Sequence, residues 1–132
     1  MGPGNHRIRI LIADDSRKAL LSVCKYLDFE GNFDIVATAS DGQQLLRKAQ
    51  LFRPDLVLTD LSIPRINGLQ AATLLRRTFP KLRIIIFTEL TGLSLREECL
   101  RSGADGFVEK SQMPEKLMEE VRRLFPDNPA QH

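Results

Sequence analysis

The sequence predicts an α/β protein built on an open, doubly wound sheet of five parallel strands. Two observations carry that prediction. Short apolar runs alternate with helical stretches along the whole chain. The runs at 8–13, 56–59 and 84–87 are almost unbroken in apolar residues, as expected for strands covered on both faces. A third observation concerns function. These runs end in Asp14-Asp15, Asp60 and Thr88, and a fourth, 106–109, ends in Lys110. In an open parallel sheet, ligands bind at the carboxyl ends of the strands.

Strands are expected at 7–13, 34–39, 55–59, 83–87 and 106–109, and helices at 16–29, 42–52, 67–78, 94–102 and 114–125. The first helix places Leu20, Val23, Cys24 and Leu27 on one face, and Gly31-Asn32 closes it. Pro54 breaks the chain before the third strand, and Pro80 before the fourth. Gly103 follows the fourth helix. Pro114 suits the first turn of the last helix, whose Leu117, Val121, Leu124 and Phe125 share a face. Strand–helix–strand units of this kind connect with right-handed crossovers.

The chain has 132 residues, enough for one domain with a sizeable core. Hydrophobic residues at 42% exclude wholesale disorder. Nineteen Lys plus Arg against 17 Asp plus Glu leave a net charge of +2, which gives no argument for a nucleic-acid or membrane-surface partner. The apolar stretches are strand-length, so no membrane span is expected, and the first residues lack the apolar centre of a signal peptide. Residues 1–6 read as an N-terminal tail, 7–125 as the domain, and 126–132 as a C-terminal tail or the start of a linker. Cys24 and Cys99 stand far apart inside helices, without a His or second Cys at metal-ligand spacing. They read as small, buried, reduced side chains of a cytoplasmic protein.

If the runs are parallel neighbours, three carboxylates, one hydroxyl and one ammonium converge on one shallow site. Two like charges about 4 Å apart repel by roughly 4 kcal/mol at an effective dielectric near 20. Three carboxylates together therefore call for a cation. All-oxygen donors in a partly open site suit Mg²⁺, which keeps some of its waters. Lys110 supplies a point charge for an anion, and Thr88 a hydroxyl donor. The combination points to phosphoryl chemistry centred on Asp60, since an Asp can become an aspartyl phosphate. Each residue taken alone has a plainer explanation. Asp14 and Asp15 precede a helix, where Asp commonly caps. Asp60 precedes a loop with Pro64 and Gly68, where Asp often begins a turn. Thr88 alone reads as a satisfied loop hydroxyl, and Lys110 alone as a solvated strand end.

The chain from 7 to 125 resembles the receiver domain of two-component response regulators. The resemblance is carried by Asp14-Asp15, by Asp60-Leu61-Ser62-Ile63-Pro64-Arg65-Ile66-Asn67-Gly68, by Thr88, by Ser102-Gly103-Ala104-Asp105-Gly106-Phe107 and by Lys110. It implies a flavodoxin-like sheet of order 2-1-3-4-5. It also implies that Asp60 accepts a phosphoryl group from a histidine kinase or phosphotransfer protein. Asp14, Asp15, Asp60 and the Ser62 carbonyl would hold Mg²⁺, and Thr88 and Lys110 would contact the phosphoryl oxygens. Phe107 matches the family's switch aromatic, which swings inward as Thr88 moves; plain core packing is the alternative. Homodimers are common in the family.

Two departures stand out. The residue after Thr88 is usually small, and here it is Glu89, whose carboxylate would disfavour a nearby dianion unless it points to solvent. Many members follow the lysine with a proline in a cis peptide, whereas here Ser111-Gln112-Met113-Pro114 follows Lys110. This resembles receivers of the nitrate-regulator type, which precede a DNA-binding helix-turn-helix. No such helix pair is expected within these residues, so DNA is expected only through a longer parent. Two alternatives remain open. One is a binding-only receiver that acts through protein contacts without phosphorylation. The other is an aspartyl-nucleophile phosphohydrolase, disfavoured because Ser62 stands where a second Asp would act as general acid.

Overall fold

The apolar runs form the five strands, all parallel, and the helical stretches cover both faces of the sheet. The computed structural model describes residues 7–126. In chain order these are β1 (Ile8–Ala13), α1 (Arg17–Glu30), β2 (Phe33–Ala39), α2 (Gly42–Phe52), β3 (Leu56–Asp60), α3 (Gly68–Thr78), β4 (Arg83–Thr88), α4 (Leu93–Arg101), β5 (Gly106–Glu109) and α5 (Glu115–Leu124). A 3₁₀ turn, Lys110–Gln112, joins β5 to α5. The sheet order is β2-β1-β3-β4-β5. The expected tails at 1–6 and 126–132 lie outside the described residues, apart from Pro126.

Alternate strand residues point to opposite faces, and the core divides accordingly. Ile8, Ile10 and Ile12 pack with Val23 and Leu27 of α1 and Leu117 and Val121 of α5. Leu11 and Ala13 pack with Leu45 of α2, Ala71 and Leu75 of α3 and Cys99 of α4. Burying each large aliphatic side chain contributes about 1.5–3 kcal/mol. Leu20, Cys24, Leu124 and Phe125, expected on inner faces, are only half-buried at the margin of the first of these clusters.

Local chemistry sets the helix ends. Ser16, not Asp14 or Asp15, caps α1, accepting from the Ala19 amide at 3.1 Å. Asp41 caps α2 and Asn67 caps α3. Gly31 ends α1 at φ +83°, and its amide donates to Leu27 O. The last helix begins one residue later than expected, with Pro114 at the cap position. The Met113–Pro114 peptide is cis, so the 3₁₀ turn separates the lysine from the cis bond.

Candidate functional site

Strand register places the reactive residues level with one another. Ala13 pairs with Thr59, and Asp60 with Phe87, so Asp14 leaves β1 beside Asp60. Thr88 pairs with Glu109, so Lys110 emerges one step beyond. The result is one cleft of about 290 Å³ lined by Asp14, Asp15, Asp60, Ser62, Thr88, Glu89 and Lys110, with Ser16 and Leu90. The expected convergence is present.

Carboxylate oxygens of Asp14, Asp15 and Asp60 lie within 4.8 Å of one another. Asp14 is 1% exposed and Asp60 8%, while Asp15 opens to solvent. Lys110 Nζ donates to Asp14 Oδ2 at 2.8 Å and to Asp60 Oδ2 at 3.1 Å. The reading of Lys110 as a solvated strand end therefore fails. The Phe87 ring adds a second contact, its centroid 4.8 Å from the ammonium. The sequence reading treated Phe87 as core alone; its place at the end of β4, in register with Asp60, was the available signal.

The electrostatics follow from burial and pairing. Burial raises the Asp60 carboxyl above its ordinary range, and Asp14 adds to the rise; the Ser62 amide and Lys110 pull the other way without cancelling it. Lys110 is pushed down by burial, but its hydrogen bonds to Asp14 and Asp60 outweigh that and leave it raised. The two shifts are compatible, because one ammonium is divided between two carboxylates. Asp60 thus carries a buried charge only partly compensated by protein. Three oxygen donors, one of them solvent-facing, fit a hard divalent cation that retains water.

The plainer explanations also find a place. Asp60 Oδ1 accepts from the Ser62 amide at 3.2 Å, a turn contact made by the same carboxylate that faces Lys110. Thr88 is 2% exposed, and its Oγ accepts from the Leu90 amide at 3.2 Å. Phe107 is 3% exposed and packed in the core under α2, α3 and α4, so the ring is inward in this structure. Glu89 is exposed at the mouth of the cleft. Among the described residues, no helix is long and apolar enough to cross a membrane.

A family model described as the response regulator receiver domain matches residues 10–122, and the chain belongs to that family. The transcriptional activator protein ExaE of Pseudomonas putida is 36% identical over 116 residues, covering 88% of this chain and 54% of that protein. The oxygen regulatory protein NreC of Staphylococcus aureus is 31% identical over 119 residues, 89% of this chain and 55% of that protein. The chain thus spans about half the length of these curated relatives. A LuxR-family response regulator from Aurantimonas sp. superposes with a TM-score of 0.86 at 26% identity, covering 92% of this chain and 87% of that one. A chain of the CheX–CheY–BeF₃–Mg²⁺ complex from Borrelia burgdorferi gives 0.84 at 26% identity, covering 89% of each. These matches agree with the flavodoxin-like order and with a receiver of the nitrate-regulator type. Receiver domains serve phosphorelay signalling, and the pocket of Asp14, Asp15 and Asp60 fits the phosphorylation site.

Proposed function

We propose that Asp60 accepts a phosphoryl group from a histidine kinase or phosphotransfer protein in a Mg²⁺-dependent reaction. The observation that carries this reading is the Asp60 carboxylate held against Asp14, Asp15 and Lys110 at the rim of the sheet. In the transfer, an Asp60 carboxylate oxygen forms a bond to phosphorus as the donor's P–N bond breaks, and the nitrogen keeps that electron pair. Asp14, Asp15, Asp60 and the Ser62 carbonyl would hold Mg²⁺, which supplies charge neutralisation for the phosphoryl oxygens. Lys110 exchanges part of its contact with Asp60 for a phosphoryl oxygen. Thr88 turns its hydroxyl from the Leu90 amide toward the new dianion, and the β4–α4 segment follows. The protein catalyses only its own phosphorylation and dephosphorylation.

The domain would span 7–125 and work in the cytoplasm. A helix-turn-helix output module in a longer parent, and a homodimer formed on phosphorylation, are part of the same proposal. Acetyl phosphate with Mg²⁺ is expected to add one acid-labile phosphoryl group by intact mass, and none in Asp60→Asn. No adduct on the wild-type chain with several donors would refute the proposal.

One observation favours a second reading. Glu89 is among the residues that line the cleft where a dianion would sit, and the repulsion between its negative charge and that dianion would leave the domain to act through protein contacts without phosphorylation. Under that reading, only Glu89→Ala takes up the phosphoryl group.

A further inference from the structure

We propose that Gly42, at the start of α2, is a positioning residue for the phosphoacceptor cleft, acting through the β3–α3 loop on the Asp60 carboxylate. The inference rests on the reading of the cleft as a metal and phosphoryl site. It assigns a role to an element that contributes no side chain to that cleft.

The loop from 61 to 67 is held at both ends. Near β3, the Leu61 amide donates to Phe87 O at 3.3 Å, and Leu61 O accepts from the Gly68 amide at 2.9 Å. Its far portion rests on α2. The Gly42 amide donates to Pro64 O at 3.1 Å, and Arg65 Nε stands 3.4 Å from Asp41 Oδ2. Arg65 adopts φ +70°, so the loop turns back onto the helix through a left-handed residue. An exposed ion pair of this kind contributes only about 0–1 kcal/mol; the steric fit matters more. A Cβ at position 42 would lie 2.5 Å from Ile66 Cβ and 2.6 Å from the Ile66 carbonyl carbon, with the carbonyl oxygen closer still. Backbone cannot yield there as a flexible side chain would, so any side chain at 42 lifts the loop off α2.

That displacement reaches the site through Ser62. Its amide donates to Asp60 Oδ1 at 3.2 Å, while Lys110 takes Oδ2 at 3.1 Å, so the two contacts together set the carboxylate plane. Loosening the loop loosens the first contact and misaims an oxygen of the three-carboxylate cluster. Partners one step removed from a metal commonly cost about 10–100-fold in affinity when altered.

The test is calorimetric titration of Mg²⁺ into the folded protein. Gly42→Ala is expected to raise the Mg²⁺ Kd about tenfold or more. Asp41→Ala, which removes both the α2 cap to the Gln44 amide and the Arg65 partner without a clash, is expected to raise it less. Gly31→Ala serves as the control: φ +83° makes it destabilising, but no atom lies within 4 Å of the added carbon and it is far from the cleft. Its Kd should match the wild type. Unchanged Kd in Gly42→Ala overturns the inference; if that variant fails to fold, an unchanged Kd in Asp41→Ala does so. A comparable rise in Gly31→Ala also overturns it, since general destabilisation would then explain the effect. Wild-type protein that binds no Mg²⁺ would instead remove the reading of the cleft itself.

Discussion

Helices α3 and α4 follow the two strands that carry Asp60 and Thr88, yet they are held very differently. Helix α3 buries Gly68, Ala71, Ala72 and Leu75 and begins with a reciprocal cap between Asn67 and Gln70. Its Arg76 donates to Leu82 O at 2.7 Å and Gly103 O at 3.0 Å. Helix α4 buries only Cys99 and begins at Gly92 with no side-chain cap. Leu90 and Leu93, at its entry, are 53% and 72% exposed. Its far end is tied to α3, where Thr73 Oγ donates to Ser102 O at 2.9 Å. The difference teaches a division of labour. The carboxylate side of the cleft stands on a rigid helix, and the Thr88 side leads into the segment with the least to hold it. Segments of low local stability are the ones that move in switching.

The strongest test compares two leucines. Leu75→Ala, in the α3 core, should lower the unfolding free energy by about 2–5 kcal/mol in urea denaturation. Leu93→Ala on α4 should stay within about 0.5 kcal/mol. Equal costs would erase the distinction. A second test uses the cation. At ten times its Kd, Mg²⁺ should add about 1.4 kcal/mol, and Asp14→Asn should abolish the gain. Hydrogen exchange should then slow more in the β3–α3 loop than at the start of α4; uniform slowing would contradict the contrast. Third, Asn67→Ala should cost about 1 kcal/mol, because it removes the cap of α3, whereas α4 has no such bond to lose.

The smallest effect sharpens the α4 side. Burial, and then Glu98, pushes the Cys99 thiol from 9.0 up to about 11. The fold favours the neutral thiol, so this contribution is present below pH 9 and lost between pH 9 and about 11. Cys99→Ala should flatten the stability slope in that window. In a Cys24→Ser background, a thiol reagent should reach Cys99 by opening of α4 alone, faster than global unfolding allows. A rate equal to global unfolding would show that α4 is as firmly held as α3.

Much of this was legible beforehand, for identifiable reasons. The 8–13 and 84–87 runs read as strands covered on both faces, and their ends marked Asp14 and Thr88. Asp60 and Lys110 followed from the same rule. Residues whose role depends on neighbours in space were harder. Asp14 and Asp15 were candidate caps until Ser16 took that bond. Phe87 looked like core until Lys110 lay over its ring. Gly42 carried no signal, because its meaning lies in Ile66, which reaches it only through the folded loop. Phe107 fits both core packing and a switch, and in this structure it is packed inward.

Apolar periodicity and the turn residues were enough to set the alternation of strands and helices, since burial of apolar side chains and backbone sterics act within a few residues. They also determined which polar groups stand at strand ends. Register across the sheet, decided only in three dimensions, made one ammonium serve two carboxylates and left Asp60 incompletely compensated. Coulomb energies vary with ångströms and burial rather than with sequence separation, so that balance existed nowhere until the chain had folded.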